Sequence, residues 1–188
     1  MNNIYRFFSA TVFTLAFSSG AAVYAAIPVP TPTPTPAPLS DAQVLGVLAT
    51  ANDAEINAGQ LAVTRAHASE VKDFAVKMVT DHTANNVKIK EVEVKSGITR
   101  QDSDASVNLK KTTDDMINTL KSAKDADFDK SYIDNQVTMH QQLLDALDKT
   151  LIPGAQNADI KTYLQDTRSV VDSHLKDAQA IQSHLNQP

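Results

Sequence analysis

The sequence has 188 residues, with 17 Lys and Arg residues against 22 Asp and Glu residues, and it contains no cysteine and no tryptophan. The absence of cysteine excludes disulfides, thiolate metal sites and cysteine nucleophiles, so any metal chemistry must use histidines and carboxylates. The formal net charge is −5 and no basic stripe is evident. A nucleic-acid partner is therefore not expected, because binding to nucleic acid depends on Lys and Arg that neutralise phosphates.

Proline and aromatic residues are concentrated near the N-terminus. Six of the eight prolines lie between Pro28 and Pro38, and six of the ten Phe and Tyr residues precede residue 26. The rest of the chain has too few turn-forming and β-forming residues for a sandwich or a barrel. Residues 39–188 are therefore predicted to form one all-helical domain, which at about 150 residues is long enough for one core of ordinary size.

Residues 1–25 have the pattern of a secretory signal peptide. Arg6 precedes a short apolar run, and Val23 and Ala25 occupy the −3 and −1 positions of a cleavage site. Cleavage after Ala25 predicts export to the periplasm or cell envelope. The alternative is an uncleaved membrane anchor, because Phe7–Ala26 is as long as the ~20 residues that span a bilayer.

Residues 26–38 form a linker rich in proline and threonine, in which Ile27–Pro38 read IPVPTPTPTPAP. Alternating proline does not enter a helix interior or a central strand, so this segment is predicted to be a semi-rigid polyproline II spacer. Two interpretations stay open. The linker is either a stalk through which the domain reaches an envelope or membrane partner, or a disordered mature N-terminus.

Four long helices and one short helix are predicted after the linker. Ser40 and Ser69 are typical N-caps for the first two helices, and Gly97 is a typical glycine at a helix C-terminus. The polar segment 98–113 has only weak periodicity, so the helix that follows it is predicted to be short. The predicted helices span residues 41–67, 70–95, 113–121, 125–151 and 158–185.

Each long helix carries apolar residues at steps of three and four, the spacing of a helix that is buried along one stripe in a bundle. Short connections at about residue 68 and at residues 152–157 make two antiparallel hairpins of these helices. Each stripe contains one ionisable residue near its middle. These residues are Glu55, His82, His140 and His174.

The four ionisable residues are predicted to meet. Glu55 and His82 lie 13 and 14 residues from the first connection, which places them at the same height for a rise of ~1.5 Å per residue. His140 and His174 lie 11 and 16 residues from the second connection, a mismatch of about one helical turn. Gln136, one turn before His140, is the alternative member of the cluster.

One carboxylate and three imidazoles form a candidate site for a divalent metal ion, with Zn, Fe, Mn and Cu as candidates, because bundle cores commonly hold such ions. The alternative is a buried hydrogen-bonded cluster in which Glu55 pairs with imidazoles and water. His67 and His184 lie near helix ends and are predicted to be surface residues. No phosphate-binding, serine-hydrolase or zinc-protease motif is present, so no catalytic residue and no organic cofactor is assigned.

From about residue 40 to residue 185, the sequence resembles a family of bacterial exported domains of unknown function that are often labelled "predicted outer membrane protein". The residues and stretches that carry the resemblance are Glu55 with Gly59, VKDFA at 71–75, MVTDH at 78–82, Tyr132 with His140, and His174-Leu175. The resemblance implies a ferritin-like antiparallel four-helix bundle, with the short helix inserted between helices two and three. The family has no agreed activity, so the resemblance supports fold and export more than function.

The sequence departs from the di-iron pattern of ferritin-like bundles, which places a Glu on each of two helices and Glu-x-x-His on the other two. Val79 and Val171 stand three residues before His82 and His174, so di-iron chemistry is not expected. The leading interpretation is a non-enzymatic exported bundle, a monomer or small oligomer, that binds a metal ion or an envelope partner. The family resemblance suggests a role in envelope stress tolerance. The alternatives are a metal-dependent redox enzyme with a mononuclear site and a purely structural envelope protein.

Overall fold

The computed structural model describes residues 38–187, which are helical and contain no strand within that range. The predicted signal peptide and nearly all of the linker lie outside the described residues. Between residues 38 and 187, no helix has an apolar stretch long enough to cross a membrane. The helices, in chain order, are α1 Asp41–Arg65, α2 Ser69–Ser96, α3 Asp104–Ser122, α4 Asp125–Ala146, α5 Ile152–Gly154 and α6 Ala158–Leu185, with a π-helical turn, Leu147–Leu151, between α4 and α5.

The start of α1 agrees with the prediction and the start of α2 does not. Ser40 caps α1, but Ser69 is the first residue of α2, and the cap position is Ala68, which makes no side-chain bond. Asp129 of α4 takes over the anchoring role, since its carboxylate accepts hydrogen bonds from the backbone N–H groups of His67 and Ala68. A residue distant in sequence thus fixes the connection between α1 and α2.

Helix α3 is much longer than predicted, because it begins at Asp104 rather than near residue 113. Ser103 and Ser106 form a capping box at its N-terminus, each side chain accepting from the other's backbone N–H. Half of the buried face of α3 consists of small polar side chains, which conceals the helical period in the sequence. The buried residues of α3 are Ser106, Thr113, Ile117 and Leu120.

Arg65, the last residue of α1, connects the two helices that follow α2. Its guanidinium donates to three backbone carbonyls at the end of α3 and to the carboxylate of Asp125 at the start of α4. Carbonyls at a helix C-terminus have no partner within the helix, so this contact satisfies them. The same guanidinium lies 4.6 Å from the centroid of the Phe128 ring.

Two glycines of α1 allow close approach of other segments. A Cβ on Gly46 would lie 2.1 Å from the backbone carbonyl oxygen of Gln101, because the connection between α2 and α3 crosses α1 there. The N–H of Gln101 donates to the carbonyl of Ala42 at 2.9 Å. A Cβ on Gly59 would lie 2.8 Å from Cγ2 of Val79 on α2, so α1 and α2 also pack closely at that level.

Contacts between side chains join the long helices to one another. Asn52 of α1 hydrogen-bonds to Asn86 of α2. Further along the same two helices, Gly59 of α1 lies against Val79 of α2. Side-chain pairs likewise join α6 to both α2 and α4. These pairs are Lys77 with Asp177, Lys95 with Asp159, Lys130 with Asn186, and Asp134 with Gln182.

The core has two apolar clusters with polar residues between them. One cluster surrounds Leu45 and Leu164, and the other surrounds Phe128 and Tyr132; all four side chains are buried. The buried polar residues come mainly from the middle of the long helices. Besides Ser106 and Thr113 of α3, they are Asn52, Glu55, His82, Gln136, His140, Thr167 and His174 on α1, α2, α4 and α6.

Candidate metal centre

Three of the four ionisable residues predicted to meet form a compact group of histidines, which we call the histidine trio: His82 of α2, His140 of α4 and His174 of α6. Their ring centroids are 5.4, 5.4 and 5.9 Å apart. One ring nitrogen of each residue lies within 4.8 Å of a ring nitrogen of each of the others. All three side chains are almost completely buried.

The mismatch in height between His140 and His174 is smaller than the sequence predicts. The helical path after α4 does not stop at Leu151 but continues to Gly154 through the π-helical turn and α5. Counted to Gly154, His140 lies 14 residues from the end of this path, and His174 lies 16 residues from the start of α6. The longer path therefore reduces the difference from five residues to two, and the two ring centroids lie 5.4 Å apart.

His82 and His140 each donate one N–H to a protein oxygen. The Nδ1 atom of His82 is 2.9 Å from Oδ1 of Asn52, and this oxygen also accepts from the side-chain amide of Asn85. The Nδ1 atom of His140 is 2.9 Å from the backbone carbonyl oxygen of Gln136. Since a hydrogen-bonded oxygen of this kind can only accept, Nδ1 carries the proton in both rings.

His174 has the opposite tautomer. Its Nε2 atom is 2.9 Å from Oδ2 of Asp81, so Nε2 carries the proton and Nδ1 has the lone pair. The remaining nitrogens of the trio are Nε2 of His82, Nε2 of His140 and Nδ1 of His174. These three are buried and have no hydrogen-bond partner among residues 38–187.

Burial favours the neutral form of two members of the trio, His82 and His174. Burial, followed by the charges of His140 and His174, lowers the pKa of His82 to about 3. Burial also lowers the pKa of His174, although its hydrogen bond to Asp81 acts in the opposite direction. Neutral imidazoles with free lone pairs are the form in which histidine binds a metal ion.

Glu55 lies beside the trio and not within it. Its Oε2 atom accepts from the side-chain amide of Gln136 at 2.8 Å, and its Oε1 atom is 3.8 Å from Nδ1 of His140. The carboxylate thus faces the proton-bearing side of His140, away from the free Nε2. Burial and the charge of Glu55 raise the pKa of Tyr132 well above its ordinary value.

Gln136, the alternative member in the sequence prediction, supports its neighbours in this structure. Its side-chain amide holds Glu55 and its backbone carbonyl holds His140. Of the four residues predicted to meet, the three imidazoles therefore converge, whereas Glu55 pairs with Gln136 and lies beside His140.

Two residues of the surrounding shell, Asn52 and Asp81, were not assigned to the site from the sequence. Asn52 lies one turn before Glu55 on α1, and Asp81 directly precedes His82. Hydrogen bonds of this kind, from a histidine to a carboxylate or amide oxygen, orient the imidazole toward a metal ion. For Asn52, the available sequence signal was an amide side chain on the buried stripe of α1. Residue spacing does not indicate Asp81, because its contact with His174 depends on how α2 packs against α6.

The trio fits a metal ion after a small contraction. Zn–N bonds are about 2.0–2.1 Å long, so three nitrogens on one tetrahedral ion stand roughly 3.4 Å apart. The corresponding separations here reach no more than 4.8 Å. Movements of about 1 Å in each side chain would bring three nitrogens at this separation to binding distance.

No curated protein and no solved structure matches this chain. A family model described as "Domain of unknown function (DUF4142)" matches residues 28–181. The matched range contains all members of the trio together with Asn52, Glu55 and Asp81. Because the match covers most of the sequence, the chain belongs to the family described as Domain of unknown function (DUF4142).

Proposed function

We propose that this chain is an exported helical-bundle protein that binds one divalent transition-metal ion through His82, His140 and His174. The observation that carries the proposal is the convergence of three buried imidazoles whose outer nitrogens bond to protein oxygens and whose inner nitrogens are unpaired. Such a set leaves three lone pairs in one small volume.

Comparison with the hydrogen-bonded alternative favours a metal. A central water molecule has two hydrogens, so it satisfies at most two of the three lone pairs. A buried polar atom without a partner costs about 1–3 kcal/mol. A metal ion accepts all three lone pairs at once, so the arrangement suits a cation better than it suits a purely structural role.

The ligand chemistry narrows the metal. Imidazole suits Zn(II), Cu(II), Ni(II) and Fe(II), while carboxylate-rich sites suit Mg(II), Ca(II) and Mn(II). The trio contributes nitrogen alone, and the carboxylates of Glu55 and Asp81 already bond to Gln136 and His174. We therefore expect Zn(II) and Cu(II) to bind more tightly than Mn(II), one of the metals considered from the sequence.

The arrangement of the long helices is inferred to be that of a ferritin-like antiparallel four-helix bundle. Contacts that pair rising residue numbers on one helix with falling numbers on the other support this inference. Lys77 and Lys95 of α2, for example, bond to Asp177 and Asp159 of α6. The polar centre between the four helices is the position in which such bundles hold metals.

Export and a role in envelope stress tolerance complete the proposal. The sequence pattern of residues 1–38 supports export. The family resemblance supports export and is the basis for the role in stress tolerance. Mass spectrometry of the exported protein is expected to give an N-terminus at Ala26. Recovery of intact Met1 in the membrane fraction would favour the anchor instead.

Metal titration tests the proposal. In calorimetry, the purified protein is expected to bind one Zn(II) or Cu(II) per chain, and a metal concentration 100 times Kd adds about 2.7 kcal/mol to the free energy of unfolding. His82→Phe, His140→Phe or His174→Phe should abolish tight binding. His67→Phe is the matched control, because His67 is exposed on the connection between α1 and α2. Equal binding by all four variants contradicts the assignment.

A further inference from the structure

We infer that the metal ion keeps one coordination position for a small exogenous anion, which reaches it through a pocket between α2 and α6. This inference rests on the proposed function and extends it from metal binding to the binding of a second ligand.

The trio supplies three protein ligands to the ion. Zn(II), Co(II) and Cu(II) take four or more ligands, and sites with three protein ligands hold water or substrate in the remaining position. Among residues 38–187, the group that offers a ligand atom to a common ion is limited to His82, His140 and His174. The two nearby carboxylates, on Glu55 and Asp81, bond on the outer sides of Gln136 and His174. No fourth histidine or carboxylate among residues 38–187 joins this group, so we infer that an exogenous ligand takes the remaining position.

A pocket beside the trio gives an exogenous ligand access to the ion. A pocket of about 170 Å³ lies between α2 and α6 and has room for a few water molecules or an anion of about four heavy atoms. Its wall includes His82 and His174, together with Asn85, Lys88, Thr167 and Val170. Two of the three ligands of the trio are therefore also walls of this pocket.

The opposite side of the trio is closed. There the His140 ring lies against the Glu55–Gln136 pair. Glu55, Gln136 and His140 are each at most 3 % exposed. The free nitrogens are buried, so the ligand passes the rim of the pocket before it reaches the ion. Access is thus directional, from the groove between α2 and α6.

The charges around the pocket favour an anion as the exogenous ligand. The three imidazoles are neutral donors, so a divalent ion keeps its full charge of +2 within the group. The Asp81 carboxylate at the pocket is already paired with the N–H of His174, while Lys88, an exposed residue, lines the same pocket. A small anion is therefore attracted by both the ion and Lys88, whereas a bulky or cationic ligand is not.

The test uses Co(II), whose visible spectrum reports the number and type of ligands, and azide as the anion. Uptake of Co(II) by the wild-type protein is measured first. Azide is then expected to change the spectrum in a saturable way. Absence of Co(II) uptake overturns the proposed function as well as this inference, whereas Co(II) uptake without any response to azide overturns this inference alone.

Variants locate the route. Val170 lines the pocket and is 41 % exposed, so Val170→Phe narrows the pocket without replacing a ligand. We expect it to raise the Kd of azide at least tenfold and to leave the Kd of Co(II) within twofold. Val94→Phe, at an exposed position of α2 that does not line the pocket, is the matched control. If Val170→Phe disturbs folding, Ala84→Phe, on the other wall, replaces it; an unchanged azide Kd in the folded variant refutes the route.

The role of charge is tested separately. Lys88→Gln should weaken azide binding threefold or more and leave the binding of neutral imidazole unchanged. Lys90→Gln, on a different face of α2, should affect neither ligand. Equal losses for azide and imidazole would show that Lys88 acts through packing, and this result would overturn the preference for an anion.

Discussion

Replacement of Asp81 with leucine is expected to weaken metal binding without unfolding the protein. The Asp81 carboxylate accepts the Nε2–H of His174 at 2.9 Å and is the group that leaves Nδ1 of His174 unprotonated and directed inward. In Asp81→Leu, His174 can exchange tautomers and rotate. Loss of such an outer-shell partner typically costs 10–100-fold in metal affinity.

The cost in stability is expected to be smaller. The Asp81 side chain is 36 % exposed, so water replaces part of the lost hydrogen bond, and we expect a loss of about 1 kcal/mol, at the low end for an unsatisfied buried polar group. A tenfold to hundredfold loss of affinity corresponds to about 1.4–2.8 kcal/mol. The functional loss should therefore exceed the loss in the free energy of unfolding.

Asp172→Leu is the matched control. Asp172 has a similarly exposed side chain, 32 %, and pairs with Lys176 of its own helix rather than with the trio. Calorimetric titration with Zn(II) and urea unfolding of both variants give the comparison. If Asp81→Leu binds Zn(II) as tightly as Asp172→Leu does, the outer hydrogen bond does not orient His174 and the reasoning is wrong.

Three further predictions concern the neighbours of the trio and the packing of α1. Glu55→Gln should change the Kd of Zn(II) by less than tenfold in calorimetry, because Glu55 lies outside the trio; a loss as large as that in His82→Phe would make Glu55 a ligand. Metal-free protein should lose stability as pH falls from about 6.5 toward 3, since the lowered pKa of His82 means that the unfolded state binds more protons, with a slope of up to about 1.4 kcal/mol per pH unit for each such group; urea unfolding at several pH values measures the slope, which His82→Phe should reduce. Gly46→Ala should cost about 1–3 kcal/mol by overpacking against Gln101, whereas Gly154→Ala, where a Cβ meets nothing within 4 Å, should be nearly neutral in the same assay.

The sequence predicted the positions of the long helices well because each carries a continuous apolar stripe. It failed for α3, whose buried face includes Ser106 and Thr113, so polar side chains occupy positions that a periodicity count assigns to solvent. It also assigned the cap of α2 to Ser69, since nothing local indicates that Asp129, about 60 residues later, anchors that connection.

The approach of the three histidines to one another was predictable from the sequence, whereas the position of Glu55 beside them and the tautomers were not. The heights of the histidines follow from helical rise and connection length, apart from the extension of the helical path to Gly154. The separation of Glu55 from the trio depends on the rotation of α1 about its axis and on the bond to Gln136, and neither is encoded in residue spacing. The tautomers depend on Asn52 and Asp81, whose partners lie on other helices.

X-ray absorption spectroscopy of the Zn(II)-loaded protein tests the central claim most directly, because it reports the atoms bound to the ion. One Zn(II) per chain is expected, with three imidazole nitrogens at about 2.0–2.1 Å and one further light-atom ligand. Loss of the imidazole signal in His140→Phe, but not in His184→Phe, would place the ion at the trio. A spectrum dominated by carboxylate oxygen, without imidazole scattering, would contradict metal binding by the trio.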